Sequence, residues 1–257
     1  MRHITKGKEP ESLTRYRATA FASYDGYDDK DGLRKSLLRD QGYLCCYCMR
    51  RIWAHKMRIE HWASQDEHPD LQLSYRNLLG ACQGGERTKE ERLEETARDK
   101  DLDYRPPHAA QAKKPAHPHH HCDKHKGNTP LTVSPVDPSK NCEQAIKYLA
   151  NGEITSDDEA IRRDLDETLN LNLEWLKRNR RGVVDATVQF LRKKYPKGEW
   201  TAQLLQREIQ QRSTLHSRLE EPDPRYSPPK PPAEAMVLDE YCHVAVYWLK
   251  KRLNRAK

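Results

Sequence analysis

Seven cysteines stand in a chain of 257 residues, and two of them, Cys45 and Cys48, form a C-x-x-C pair. Two intervening residues let one tight turn aim both sulfurs at a single ion. Tetrahedral zinc needs two more ligands, and Cys82 and Cys122 offer them from either side of a polar insertion. Four thiolates make a closed structural site, which folds the chain around Zn²⁺ and performs no chemistry itself. Cys46 sits inside the pair and points elsewhere, while Cys142 and Cys242 fall in or beside expected elements, where buried free thiols are common.

Between the halves of this set lies Glu60-His61, followed by Asn77, and Cys122 is followed by Asp123-Lys124-His125-Lys126-Gly127-Asn128. That order suits phosphodiester hydrolysis. An imidazole titrates near neutrality, so His61 can accept a proton from water. The adjacent Glu60 carboxylate is a hard oxygen ligand for Mg²⁺ or Mn²⁺, and such an ion stabilises charge on a scissile phosphate. A second ligand would come from the helix after Cys122. Asn77 can fix the loop or orient His61 through hydrogen bonds, and Lys126 can hold a phosphate backbone as a point charge. The tract His117, His119, His120 and His121 lies in a Pro- and His-rich loop that needs no ligand.

These residues need elements to hold them. Residues 1–32 are polar and read as an N-terminal arm with one short helix inside 12–24, suited to docking a partner. A short amphipathic helix covers 33–38 and ends near Gly42. The C-x-x-C turn leads into a strand, residues 58–62 form a second, and a turn of helix falls around 75–79. The insertion 86–121 begins with a charged helix over 86–103, stabilised by side-chain pairs. A short helix follows Cys122, and a hairpin turns at Asn151-Gly152. These elements make one domain, 33–155. A helical region, 156–257, follows: helices from 156, over 183–195 and 200–215, a Pro-rich strap at 220–232, and a final amphipathic helix over 234–253.

Composition sets the limits. With 35% hydrophobic and 33% charged residues, the chain can bury only a thin core for its length. A net charge of +7 and a pI near 9.0 suit a polyanionic partner such as nucleic acid. No apolar run approaches membrane-spanning length and the first residues lack the apolar stretch of a signal peptide, so a cytoplasmic location with reduced thiols is expected.

Taken together, Cys45-Cys46-Tyr47-Cys48, Arg58-Ile59-Glu60-His61, Tyr75-Arg76-Asn77-Leu78-Leu79, Cys82, His121 to Asn128 and Asp137-Pro138 resemble the HNH endonucleases of Septu and retron anti-phage systems, the PtuB family. The opening Met1 to Pro10, and Cys142-Glu143, Tyr148 and Asn151-Gly152, are similar as well, so the likeness covers roughly residues 1–155. The resemblance implies an α+β fold, a zinc-stapled ββα-metal (HNH) nuclease core with a helical C-terminal region. It implies His61 as general base, Glu60 as metal ligand and Asn77 as the middle of the H-N-H triad. Glu60 stands where Asp is more usual. The third metal position, often His or Asn directly after the last Cys, is Asp123 here by alignment, with His125 as the imidazole alternative. The resemblance also implies an ATPase partner of the PtuA type and, in retron-linked members, a reverse transcriptase with its RNA–DNA product. The chain has no G-x-x-x-x-G-K-[ST] loop, so nucleotide hydrolysis falls to the partner. DNA is the favoured substrate. A host RNA such as tRNA is the alternative, and a non-catalytic zinc-stabilised binding module is the competing reading.

Overall fold

The computed structural model describes residues 1–85, 119–139, 141–196, 200–223 and 233–255. The charged helix expected over 86–103, most of the following loop with His117, and the prolines of the strap from 224 to 232 lie outside these described residues.

Helix α1 (Glu11–Arg17) carries Glu11 in its first turn and Arg15 and Arg17 in its last, each sign suited to the helix dipole. Helix α2 (Lys30–Gln41) is capped by the Asp29 side chain, which accepts from the Gly32 amide, and ends at Gly42. Leu33 and Leu37, one turn apart, and the adjacent Leu38 and Gln41 face inward. The buried Gln41 amide ties this helix to the sheet: its Nε2 donates to the carbonyls of Leu44 and Gly80, and its Oε1 accepts from the Gly80 amide at 2.6 Å.

Strands β1 (Met57–His61) and β2 (Leu78–Cys82) pair antiparallel, from Met57 opposite Cys82 to His61 opposite Leu78. The turn of helix expected around 75–79 is not there. From Leu78 the chain is a strand, every residue of which is buried. Its contiguous apolar run cannot tell strand from helix by period, and the ladder to β1 decides the matter. Helix α3 (Asp123–Lys126) follows Cys122. Helix α4 (Cys142–Ala145) leads into the hairpin of β3 (Ile146–Tyr148) and β4 (Ile154–Ser156), turned at Asn151-Gly152. Gly152 has φ +85, and a Cβ there would lie 2.0 Å from the Lys177 carbonyl, so only glycine lets the turn dock against the helix Glu174–Lys194.

Beyond the hairpin, α5 (Glu159–Arg163) starts on an Asp158 cap and runs into a π-helical turn, Asp164–Thr168. Helices α6 (Glu174–Lys194) and α7 (Ala202–Arg212) follow. The final helix is shorter than its apolar pattern indicated. Residues 234–237 form strand β6 (Glu234–Val237), paired antiparallel with β5 (His216–Leu219), and α8 (Cys242–Arg255) starts only afterwards. Ala235 and Val237 are buried and Glu234 and Met236 exposed, the alternation of a strand with one face packed.

The N-terminal arm also differs from its expected character. Met1, Ile4, Leu13 and Tyr27 are buried in the main core with the α2 leucines, Leu78, Leu79 and Leu165. Four apolar side chains spaced along a polar stretch suffice to pin it down, although their spacing has no period. A separate small core joins Leu191, Leu205 and Leu249 of α6, α7 and α8. Among the described residues, no helix is long and apolar enough to cross a membrane.

Candidate metal centre and its neighbouring carboxylates

Three separate pieces of backbone bring the four cysteines together. The C-x-x-C turn closes through Cys45 N–H to the Arg50 carbonyl and Met49 N–H to the Cys45 carbonyl, and Met49 takes a left-handed φ of 65° to complete it. Cys46 donates its N–H to Gly80, which docks the turn on β2. Cys82 is the last residue of β2. Cys122 arrives after the insertion with φ 55°, a conformation that a β-carbon disfavours, held by its N–H on the Leu169 carbonyl at 2.9 Å. Gly84, at φ +62, lets the returning chain approach so closely that a Cβ would stand 2.4 Å from the His121 carbonyl.

The sulfurs of Cys45, Cys48, Cys82 and Cys122 all lie within 4.8 Å of one another and all four residues are buried. The Cys45–Cys122 and Cys48–Cys82 separations are 3.9 and 3.8 Å. A tetrahedron with metal–sulfur bonds of about 2.3 Å has edges of about 3.8 Å, so the set could hold a metal ion such as zinc. Burial pushes the Cys45 thiol up, yet hydrogen bonds from the sulfurs of Cys122, Cys46, Cys48 and Cys82 overcome it and hold that thiol well below its usual value. A buried sulfur anion supported by its neighbours is the chemistry a soft dication takes over. His121, fully buried, places Nε2 3.6 Å from the Cys82 sulfur and its ring edge-on to Trp175. Among the described residues, His121 is thus a member of the His tract that reaches the cluster.

One strand away lies the second constellation. Glu60 and His61 close β1, and Asp123 opens α3. Asp123 hydrogen-bonds the Glu60 carboxyl. Burial first, then the shared hydrogen bond and charge of Asp123, push the Glu60 carboxyl well above its usual range, while Lys126 and Tyr47 pull the other way. A buried carboxyl group and a half-buried one beside it do not readily both ionise unless a cation joins them. Lys126 supplies part of that charge: its ammonium, almost wholly buried, lies 3.0 Å from Glu60 Oε1 and also donates to the carbonyls of His61 and Gly127. It therefore faces inward onto Glu60 and not outward toward solvent. His125 is turned away, its Nδ1 3.0 Å from the Thr168 carbonyl. The Glu60–Asp123 pair is what could hold Mg²⁺ or Mn²⁺, although among the described residues only the four cysteines gather three or more ligand atoms within 4.8 Å.

His61 points Nε2 at the Gln72 carbonyl, 3.0 Å away. A carbonyl only accepts, so in the neutral ring Nε2 carries the proton and Nδ1 the lone pair. Burial lowers the His61 pKa against the opposing effect of that carbonyl, which keeps the ring a base. Asn77 fixes the chain just beyond: Nδ2 donates to the carbonyls of Ala63 and Leu71, Oδ1 accepts from the Ala63 amide at 2.8 Å, and the Asn77 carbonyl accepts from Trp62 N–H.

Three contributors escape sequence reasoning. Tyr24 sets its ring edge-on to His61 with centroids 4.5 Å apart. Gln72 supplies the carbonyl to His61 and, through Oε1, anchors the Tyr24 amide. Tyr47, inside the C-x-x-C turn, donates its hydroxyl to Glu60 Oε1 at 2.7 Å. Only Tyr47 had a signal, its place within the cysteine pair. No protein-family model and no curated protein matches this chain.

Proposed function

We propose that the chain is a metal-dependent endonuclease of the HNH type, cutting phosphodiester bonds of nucleic acid with Mg²⁺ or Mn²⁺ on a zinc-stapled ββα core. The observation that carries this reading is the juxtaposition, beside one four-cysteine cluster, of a hydrogen-bonded Glu60–Asp123 pair and a buried His61 whose Nε2 is committed to a carbonyl. Zn²⁺ held by Cys45, Cys48, Cys82 and Cys122 would be structural.

Glu60 and Asp123 would hold the catalytic ion, which when bound neutralises charge building on the phosphate and leaving oxygen. His61, through Nδ1, takes the proton from the attacking water. The Gln72 carbonyl holds that tautomer, and Asn77 keeps the His61 loop in register with β2. Tyr24 packs one side of the ring and shields it from water. Lys126 balances the Glu60 carboxylate. The net charge of +7 favours a polyanionic substrate, DNA first and RNA second. The work of a nucleotide-driven switch belongs to an ATPase partner of the PtuA type, as part of a cytoplasmic anti-phage system.

The test is cleavage of plasmid DNA and of total RNA with Mg²⁺ or Mn²⁺, by the chain alone and with its ATPase partner. Wild type should cut and His61→Ala should not. Equal behaviour of the two under every condition would leave a zinc-stabilised binding module instead.

A further inference from the structure

Tyr47 lies between Cys46 and Cys48, in the turn that aims two thiols at the cluster. Its side chain is fully buried, and its hydroxyl leaves the turn to meet Glu60 Oε1 at 2.7 Å. Lys126 Nζ reaches that same oxygen at 3.0 Å. One carboxylate oxygen is thus taken by two donors, and the same carboxyl makes a hydrogen bond with Asp123. A side chain held at Oε1 in this way has one orientation relative to Asp123. Without the phenol, half of that clamp is gone, and a buried carboxylate turns toward whatever donor remains.

We propose that Tyr47 is a positioning residue for the metal-binding carboxylate: the cysteine turn places Tyr47, Tyr47 places Glu60, and order at the thiolate cluster thereby becomes a condition for Mg²⁺ or Mn²⁺ binding at Glu60 and Asp123. This rests on the nuclease reading of the Glu60–Asp123 pair. The physical basis is that groups hydrogen-bonded to a ligand, though not touching the metal, set its orientation, and their loss typically weakens metal binding about 10- to 100-fold. A tyrosine that merely filled the core would need its ring and not its hydroxyl.

The experiment uses the full chain loaded with zinc, titrated with Mn²⁺ and followed by the electron paramagnetic resonance of free Mn²⁺, for wild type and Tyr47→Phe. Zinc content and melting temperature are measured on the same samples. Expected is Mn²⁺ binding by wild type, with zinc and melting unchanged in Tyr47→Phe but Mn²⁺ affinity about 10- to 100-fold weaker. Equal Mn²⁺ affinity in the two proteins would overturn the role of Tyr47 and leave the nuclease reading standing. Loss of zinc from Tyr47→Phe would overturn it too, because the hydroxyl would then serve the turn and not Glu60. Failure of wild type to bind Mn²⁺ at all would instead remove the metal site on which both rest.

Discussion

The four-thiol cluster and the Glu60–Asp123 pair sit side by side and are built in opposite ways. The cluster is closed, with four like ligands from three segments, all buried and all within 4.8 Å. The carboxylate pair is unequal: a buried Glu60 clamped by Tyr47 and Lys126 beside a more exposed Asp123, whose other neighbour is Arg58 at 4.0 Å. A closed set satisfies an ion completely and leaves it no chemistry, whereas an incomplete set leaves room for a phosphate or a water. The two share backbone. Cys82 ends the strand whose first residue pairs with His61, and Cys122 immediately precedes Asp123. Shared backbone thus ties the positions of His61 and Asp123 to the residues of the cysteine cluster.

The most severe way to break that arrangement is at the cluster. Cys82→Ser should lose zinc and the cooperative melting of the core, since metal binding at such sites amounts to about 10–16 kcal/mol. Zinc analysis with a circular dichroism melt checks this, and a variant that melts like wild type would sink the staple. Striking the open site should separate chemistry from stability. Glu60→Gln is expected to keep zinc and melting temperature while metal-dependent cleavage falls more than about a hundredfold, beyond the effect of an outer partner; a nicking assay reads it. Asn77→Ala removes three side-chain hydrogen bonds, each worth about 0.5–1.5 kcal/mol net. Urea unfolding should show about 2–3 kcal/mol lost with zinc retained.

The smallest effect lies outside both sites and serves as their control in acid. His243 on α8 is buried, with Nδ1 3.6 Å from Glu143. Burial foremost, opposed by Glu143 and aided by the N-terminal amine, Lys250 and Arg2, lowers its pKa to about 4. The folded value lies below the unfolded one near 6.5, so its contribution is whole above pH 6.5 and is lost as pH falls toward 4. Between pH 7 and 5 this amounts to about 2 kcal/mol. Urea unfolding of His243→Phe at both pH values should show a shallower acid loss than wild type. Identical slopes would assign the acid limb to the thiols and carboxylates.

Much of the candidate site was legible because its signals are local. C-x-x-C is a turn geometry and Asn151-Gly152 demands its own hairpin, each a matter of a few residues. Longer-range features were not. Leu78 to Cys82 is apolar without period, and only pairing with β1 makes it a strand. The pattern over 234–253 suits a helix throughout, yet Ala235 and Val237 are drawn into a ladder with β5. Lys126 was readable as a phosphate-facing charge, but its burial on Glu60 depends on how α3 meets β1.

By itself, then, the amino-acid order determined which residue types were available, that four cysteines could frame one ion, and where helices cap and hairpins turn. Tertiary structure alone decided which of Asp123 and His125 faces Glu60, that Met1, Ile4, Leu13 and Tyr27 of the N-terminal stretch join the core, and that the tyrosine of the cysteine turn reaches the carboxylate. The reason is range. Capping and turn preferences act over a few bonds and are written locally, whereas a contact between Tyr47 and Glu60, or between Cys82 and Cys122, exists only once burial of apolar surface has brought distant segments together.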